Sequence, residues 1–159
     1  MRRLVYLPFQ PSPAGLLCDR VSVHSIVEAV GTPAYVYSAE AIRNAFSDID
    51  VAFQEYPHTI HYALKANSTL ALLRLLRALG SRVDANSGGE IRVAQRAGFD
   101  AQDIVFTGVG KTRDELESAI ALNVGTINAE SAGELDRIAH LAGQLGRVAR
   151  VALRVNPDI

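Results

Sequence analysis

Five short apolar runs recur about every 22 residues between positions 59 and 155, and this period constrains the fold more than any other feature of the chain. The runs are TIHYAL (59–64), SRVDA (81–85), DIVF (103–106), GTINA (125–129) and RVALRV (150–155). Segments in which apolar residues recur at helical spacing separate them. Strands that alternate with single helices are typical of right-handed βαβ units, so the sequence predicts a parallel sheet.

Three of the predicted helices begin with a Ser/Thr-x-x-Glu capping box, in which the first side chain and the glutamate each cap the other's backbone N–H. The pairs are Ser87 with Glu90, Thr112 with Glu115, and Ser131 with Glu134. Each pair follows a predicted strand directly, so each helix is expected to begin at the carboxyl end of a strand.

This period fits either a doubly wound sheet or a (β/α)8 barrel. A nucleotide-binding doubly wound sheet usually has a glycine-rich loop after its first strand, whereas the first strand here ends in KANS (65–68). The barrel is therefore favoured. A complete barrel takes about 250 residues, so we expect these 159 residues to form a partial, truncated barrel with five of its eight strands.

The first 58 residues follow a different pattern. Prolines at 8, 11 and 13 predict an irregular or edge-strand leader. Apolar residues at helical spacing predict a helix through Val23–Val30, PAYVYS (33–38) is interpreted as a strand, and a helix is expected from about Ser38 to Glu55.

Composition excludes several classes of function. Sixteen basic residues face seventeen acidic ones, so the chain lacks the basic surface that nucleic acid or an anionic membrane would require. One cysteine and four histidines without metal-ligand spacing predict no metal site. No apolar run approaches the roughly 20 residues of a membrane-spanning helix, and the start does not resemble a signal peptide, so a cytoplasmic protein is expected.

Unusual polar residues follow the predicted strands at their carboxyl ends, where the catalytic groups of a barrel lie. They are Lys65, Asp84, Asn128 with Glu130, and Arg154 with Asn156. Lys65 closes an apolar run in which a charged amine is costly unless it is satisfied or neutralised. A lysine in such a place can act as a nucleophile that forms a Schiff base, although it can also be a strand-end lysine that reaches solvent.

The other candidates also have structural alternatives. Asp84 either lies near Lys65 and holds its amine, or is a solvated carboxylate in the loop before a helix. Arg154 is expected inside an apolar strand, where a cation needs a partner, which is either a ligand or a carboxylate such as Asp84 or Glu90. The backbone of SGGE (87–90) could receive an anion, but its capping box favours a mainly structural role, with Glu90 a secondary candidate near the lysine.

The segment GVGKT (108–112) invites comparison with nucleotide sites. A P-loop needs a glycine where Val105 stands, and the dinucleotide pattern needs a glycine where Arg113 stands. Both interpretations fail, so the segment is expected to link a strand to the helix that Thr112 caps.

Five motifs carry a resemblance to a known enzyme family. They are GTPAYVYS (31–38), YALKAN (62–67), DANSGGE (84–90), IVFTGVGKT (104–112) and LRVNPDI (153–159). Their order and spacing resemble those of the diaminopimelate decarboxylases, a branch of the fold-type III pyridoxal phosphate enzymes, from residue 16 onward. Alanine racemases share the Lys-Ala-Asn core but continue differently from Ser68-Thr69-Leu70, so they are disfavoured.

This resemblance implies pyridoxal 5'-phosphate as the cofactor. It implies that Lys65 holds the cofactor as a Schiff base, that Asp84 lies beside it, and that Arg154 donates to its ring oxygen. The implied reaction is a carboxy-lyase step, the decarboxylation of meso-diaminopimelate to L-lysine at the end of lysine biosynthesis, in an enzyme that is a homodimer when full length.

The resemblance also implies a domain arrangement. Residues 1–38 would be a leader with strands that belong to or pack on a second, β domain, and residues 39–159 would be the first part of the barrel. The remaining barrel, the ring-nitrogen acid, the phosphate loop and the carboxyl-terminal β domain would lie beyond this chain, so the isolated fragment is expected to be inactive. Two alternatives stay open: a decarboxylase of another or a carrier-bound amino acid, and a non-catalytic remnant that binds the cofactor.

Overall fold

The computed structural model describes residues 6–157, which divide into two units, the first ending at His58 and the second beginning at Thr59. Each unit is described separately below. Within the described residues, no helix is both long and apolar enough to cross a bilayer.

The amino-terminal unit contains a small antiparallel sheet and two helices. Strands β1 (Phe9–Ser12), β2 (Gly15–Cys18) and β3 (Val21–Ser22) pair in the order β1-β2-β3. Helix α1 (Val23–Val30) follows directly, and α2 (Ala39–Ala52) comes after a connecting segment. Both predicted helices are confirmed, and the expected edge-strand leader is confirmed from residue 6 onward, since its first five residues lie outside the described residues.

The segment before α2 corrects the prediction of a strand over 33–38. Residues 34–38 lie in no strand, and the exposed fractions of Tyr35 and Tyr37 are 91% and 53%. The two rings stack on each other, with centroids 6.5 Å apart. β-branched and aromatic residues favour a strand only where a neighbouring strand offers hydrogen bonds, and none in the described part of the chain pairs with this segment.

The Asp19 carboxylate joins the small sheet to the start of α2. It accepts hydrogen bonds from the hydroxyls of Ser38 and Tyr6 and, at 3.0 Å, from the backbone N–H of Glu40. These donors, the Ser38 hydroxyl foremost, lower the pKa of Asp19 to about 2. The bond to Asp19 in turn raises the pKa of Tyr6 to about 12.

The second unit is a five-stranded parallel sheet with helices between its strands. The strands are β4 (His61–Ala63), β5 (Arg82–Ala85), β6 (Ile104–Phe106), β7 (Thr126–Ala129) and β8 (Val151–Leu153). The helices are α3 (Leu70–Ala78), α4 (Gly88–Ala97), α5 (Arg113–Leu122) and α6 (Ala132–Gln144). All five predicted strands and all four predicted helices of this unit are confirmed.

Strand order separates the two candidate architectures. The strands lie in the order β4-β5-β6-β7-β8, so each is hydrogen-bonded to its neighbour in sequence. A doubly wound sheet reverses its order at a switch point, whereas a barrel adds each new strand beside the last. The observed order is that of a barrel.

Alternation along β5, β6 and β7 divides the central part of the sheet into an apolar and a polar face. The apolar face packs against the helices, and its strand residues are at most 2% exposed: Val83, Ala85, Ile104, Phe106, Ile127 and Ala129. Burial of one such Val or Phe side chain stabilises the fold by about 1.5–3 kcal/mol. Intervening residues such as Asp84 and Asn128 lie on the opposite face, which is the interior face of a barrel.

The helix starts partly correct the capping-box prediction. Only Thr112 and Glu115 form the complete reciprocal box. Ser87 and Ser131 do accept bonds from the N–H groups of Glu90 and Glu134. However, those glutamates reach one residue further back, to the N–H groups of Asn86 and Glu130, at 2.7 and 2.8 Å. Each therefore binds the strand end that precedes its helix.

Candidate active site

Lys65 lies just past the carboxyl end of β4, in a single 3-10 turn formed by Leu64–Ala66. Leu64 is fully buried and occupies the core position, whereas Lys65 is exposed. The strand ends at Ala63, so Lys65 lies just after the strand end, where the sequence predicted it. The amine is available for chemistry at this edge of the sheet.

Asp84 lies within β5, in register with Ala63, two positions before Lys65. It is half-buried, and its Oδ1 accepts a hydrogen bond from the hydroxyl of Thr107 on the next strand connection. The interpretation of Asp84 as a solvated loop carboxylate is therefore wrong. Its carboxylate is fixed on the polar face of the sheet.

Thr107 and Asn128 extend this contact across three strands. The side-chain amide of Asn128 donates to Thr107 Oγ1 at 2.9 Å, and Thr107 donates to Asp84. All three side chains are half-buried. The sequence identified Asn128 as a strand-end polar residue but missed Thr107, although Thr107 also follows an apolar run directly.

Lys111 of the GVGKT segment has a structural role. Its Nζ donates to the backbone carbonyl of Asn128 at 2.6 Å and pairs with Glu134 Oε2 at 3.2 Å. Its side chain is fully buried, and that of Glu134 is 3% exposed. Removing one partner of a buried pair typically costs about 3–5 kcal/mol, so this pair holds the carboxyl end of β7 in place. The sequence predicted the connecting role of the segment and missed this pair.

Arg154 follows β8, and its backbone N–H continues the sheet ladder to the carbonyl of Ala129. Its guanidinium pairs with Glu130 Oε1 at 3.3 Å, and its side chain is 43% exposed. The predicted ion-pair partners Asp84 and Glu90 are wrong, because Asp84 is three strands away and Glu90 is bound to Asn86. Arg154 and Lys65 thus both lie at the carboxyl ends of their strands, although β4 and β8 are the outer strands of the sheet. Within residues 6–157 no hydrogen bond or ion pair joins Arg154 to Lys65 or Asp84.

The helix start at SGGE is already bound by a side chain of the protein, so it is not available to an anionic ligand. The backbone N–H of Gly88 donates to Glu115 Oε1 at 2.8 Å, so a carboxylate of α5 already occupies the start of α4. This N–H group, followed by those of Thr112, lowers the pKa of Glu115. The mainly structural interpretation of the segment is confirmed, and Glu90 serves the same helix start.

The β5 and β6 ends approach each other very closely at Gly108. A Cβ there would lie 1.9 Å from the carbonyl oxygen of Asn86, so this position admits only glycine. Beside it, the buried Nδ2 of Asn86 has no hydrogen-bond partner among the described residues. An unsatisfied buried donor is costly, and its place at a strand's carboxyl end puts an unused polar group at the candidate site.

Together these strand ends present an amine, a carboxylate, a guanidinium and an unsatisfied amide. Such a donor set can form a covalent link to an aldehyde, hold a cationic group and donate to an anionic oxygen. Among the described residues, no cluster of three or more His, Cys, Asp or Glu could hold a metal ion. The chemistry of the groups therefore suits an organic, anionic ligand with a carbonyl group.

Comparison with known proteins agrees with this geometry. The family model for the pyridoxal-binding domain of pyridoxal-dependent decarboxylases matches residues 39–159. The diaminopimelate decarboxylase of Neisseria meningitidis is 44% identical over 144 residues, which are 91% of this chain and 36% of that protein.

Solved structures give the same relationship. The M. jannaschii diaminopimelate decarboxylase in complex with L-lysine is 34% identical with a TM-score of 0.89, over 95% of this chain and 36% of the other. The Helicobacter pylori enzyme with L-lysine is 43% identical with a TM-score of 0.81, over 86% and 34%.

These matches establish the fold, and this chain spans about a third of the length of the relatives. The barrel predicted from the strand period is the barrel of the fold-type III pyridoxal phosphate decarboxylases, of which this chain forms part. The family model covers well over half of the residues. The chain therefore belongs to the pyridoxal-dependent decarboxylases, and its residues 39–159 lie in their pyridoxal-binding domain.

Proposed function

We propose that this chain is the cofactor-binding part of a carboxy-lyase that removes carbon dioxide from meso-diaminopimelate and yields L-lysine. The observation that carries the proposal is the gathering of Lys65, Asp84 and Arg154 at the carboxyl ends of strands in one parallel sheet. The similarity to diaminopimelate decarboxylases supports this substrate rather than another amino acid.

Lys65 is the residue that would hold pyridoxal 5'-phosphate. The chain contains only two lysines, Lys65 and Lys111. The buried Lys111 is bound to Glu134 and to a backbone carbonyl. Lys65 is exposed at the edge of the sheet, so it is the lysine of this chain whose amine can reach an aldehyde.

Asp84 and Arg154 would complete the cofactor's environment from this chain. The Asp84 carboxylate holds the Lys65 amine in place by charge, and the Arg154 guanidinium donates to the ring oxygen. In the structure, the ion pair with Glu130 keeps Arg154 at the carboxyl end of the sheet. The unsatisfied Asn86 amide gives this edge one further donor for an oxygen.

When bound, the cofactor supplies an electron-withdrawing ring that accepts the electron pair left at the α-carbon as carbon dioxide departs. The protein residues bind the substrate and orient the bonds at its α-carbon so that the carboxylate is the group lost. A proton then takes the place of the carboxylate on the α-carbon. One carboxylate leaves as carbon dioxide, and both amino groups stay on the product.

The full-length protein is also proposed to be a cytoplasmic homodimer. The similarity to the diaminopimelate decarboxylases supports this proposal. Sedimentation velocity of the full-length protein should give the mass of two chains.

The test is chemical labelling of the full-length protein. Incubation with pyridoxal 5'-phosphate, reduction with borohydride and peptide mapping should place one pyridoxyl group on the peptide that contains Lys65. Reduction after Lys65→Ala should leave that peptide unlabelled. A label on Lys111, or on a lysine outside this chain with Lys65 unmodified, would refute the assignment.

A substrate assay distinguishes the remaining alternatives. The full-length protein should release carbon dioxide from meso-diaminopimelate faster than from lysine, ornithine or arginine. Labelling of Lys65 without turnover of any amino acid would favour a cofactor-binding remnant, and preference for another amino acid would change the substrate.

A further inference from the structure

The polar face of the sheet carries one hydrogen-bonded chain that the proposed reaction does not yet use. It runs from Asn128 through Thr107 to Asp84, and so links the ends of β7, β6 and β5. The Asn128 amide lies 2.9 Å from Thr107 Oγ1. The backbone carbonyl of Asn128 is itself fixed by the buried Lys111.

The direction of this chain follows from its chemistry. A carboxylate can only accept hydrogen bonds, so the single hydroxyl proton of Thr107 goes to Asp84. The Thr107 oxygen then needs a donor, so Asn128 must present its NH2 group rather than its oxygen. The three groups therefore have one consistent arrangement, in which each proton points toward Asp84.

This arrangement leaves the second oxygen of Asp84 for another partner. Asp84 Oδ1 accepts the hydrogen bond from Thr107, and among the described residues no group donates a hydrogen bond to Oδ2. Asp84 lies in register with Ala63, two positions before Lys65. Fixing one oxygen of a carboxylate restricts the rotation of the whole group, so it also sets where the second oxygen lies.

We propose that Thr107, oriented by Asn128, is a positioning residue that holds the Asp84 carboxylate toward the cofactor carried by Lys65. This inference rests on the proposed function, because it presumes that Lys65 and Asp84 bind pyridoxal 5'-phosphate. Thr107 acts through Asp84 and makes no contact of its own with the reacting atoms.

The test uses the full-length protein and measures the affinity for pyridoxal 5'-phosphate from the absorbance of the lysine-bound cofactor. Thr107→Val keeps the shape and removes the hydroxyl, and it should weaken affinity about tenfold, as expected for loss of a hydrogen bond to a charged group. Thr107→Ser keeps the hydroxyl and should restore affinity to within about twofold of the original.

A matched control and a double variant separate positioning from folding. Thr126→Val makes the same change on β7, on the same face of the sheet, at a threonine that pairs in register with Val105 and, among the described residues, has no hydrogen bond to Asp84. It should leave affinity and the absorbance spectrum unchanged. In an Asp84→Asn background, Thr107→Val should add almost nothing, because the two residues act as one unit.

The outcomes are distinct. If Thr107→Val binds the cofactor as well as Thr126→Val, or if its effect is unchanged in the Asp84→Asn background, the inference is wrong. If Thr107→Val does not fold, Asn128→Ala should weaken affinity about threefold, and an unchanged affinity there would overturn the inference. If the unaltered protein fails to label Lys65, the proposed function itself is wrong.

Discussion

At the scale of single residues, the two lysines show what a sequence pattern can predict and what it cannot. The sequence predicted chemistry for Lys65 and a simple connection for Lys111, and the structure finds Lys65 exposed and Lys111 buried in an ion pair. The pattern located Lys65 because the residues before it form a strand. It missed the Lys111 pair because Glu134 is 23 positions away and belongs to another helix.

Arg154 gives a prediction at this scale. Arg154→Ala in the full-length protein should lower kcat/KM for meso-diaminopimelate by about 100-fold, because loss of one aimed charged donor costs roughly 3 kcal/mol of transition-state stabilisation. Its melting temperature should change little, since the pair with Glu130 is partly exposed and exposed pairs contribute little to stability.

The control for this prediction is Arg150→Ala, just before the start of β8. Arg150 donates to Gln102 at the opposite end of the sheet, so its loss should leave kcat/KM within about twofold. A much lower melting temperature for Arg154→Ala, combined with normal turnover of the folded enzyme, would mean that the pair with Glu130 is structural.

At the scale of elements, the sequence predicted every strand and α-helix of the second unit because each has its own hydrophobic pattern, and α4, α5 and α6 begin with a capping side chain. It failed at PAYVYS, where propensity favoured a strand but the chain offers no pairing partner among the described residues. It also failed in part at the helix starts. A spacing of three identifies the serine that caps the helix, but it does not reveal that Glu90 and Glu134 bind the preceding strand ends.

Glu115 gives a prediction at this scale, because it links the starts of α4 and α5. It accepts from the backbone N–H groups of Gly88 at 2.8 Å and Thr112 at 3.0 Å, which lower its pKa below the ordinary value of a glutamate. Since the folded-state pKa is depressed, the carboxylate stabilises the fold above about pH 4.5, and this contribution is lost as pH falls through the folded pKa.

Urea unfolding at two pH values tests this link. At about pH 7, Glu115→Gln should lower the free energy of unfolding by roughly 1 kcal/mol, and the difference should shrink at about pH 3. Glu117→Gln on the exposed side of the same helix should have almost no effect at either pH. A difference for Glu115→Gln that does not depend on pH would contradict the assigned charge.

At the scale of the whole molecule, the sequence predicted the barrel class from the regular period of its strands. It could not predict the register or which loops approach closely, because those depend on contacts between distant residues. The close approach of Gly108 to the Asn86 carbonyl illustrates this limit, since GVG alone does not reveal that a side chain would collide with another strand end.

The isolated polypeptide of residues 1–159 gives a prediction at this scale. At the end of β8 and just after it, Leu153 and Val155 are 68% and 77% exposed, and β8 pairs only with β7 among the described strands. Exposed apolar residues beside an open strand edge promote association. We expect light scattering to show oligomers or aggregates, and no carbon dioxide release from meso-diaminopimelate with added pyridoxal 5'-phosphate. A monomer that unfolds cooperatively and has turnover would contradict both expectations.

The sequential strand order has a consequence for how the protein is made. Every pairing in the parallel sheet joins residues 21 to 24 positions apart, such as His61 with Arg82. A ribosome adds about 5–20 residues per second, so each strand and its helix emerge over roughly one to several seconds. Closing a short loop and forming a helix take far less time. Each new strand therefore pairs with a strand that has already been synthesised, and the sheet can grow from β4 to β8 in the direction of translation.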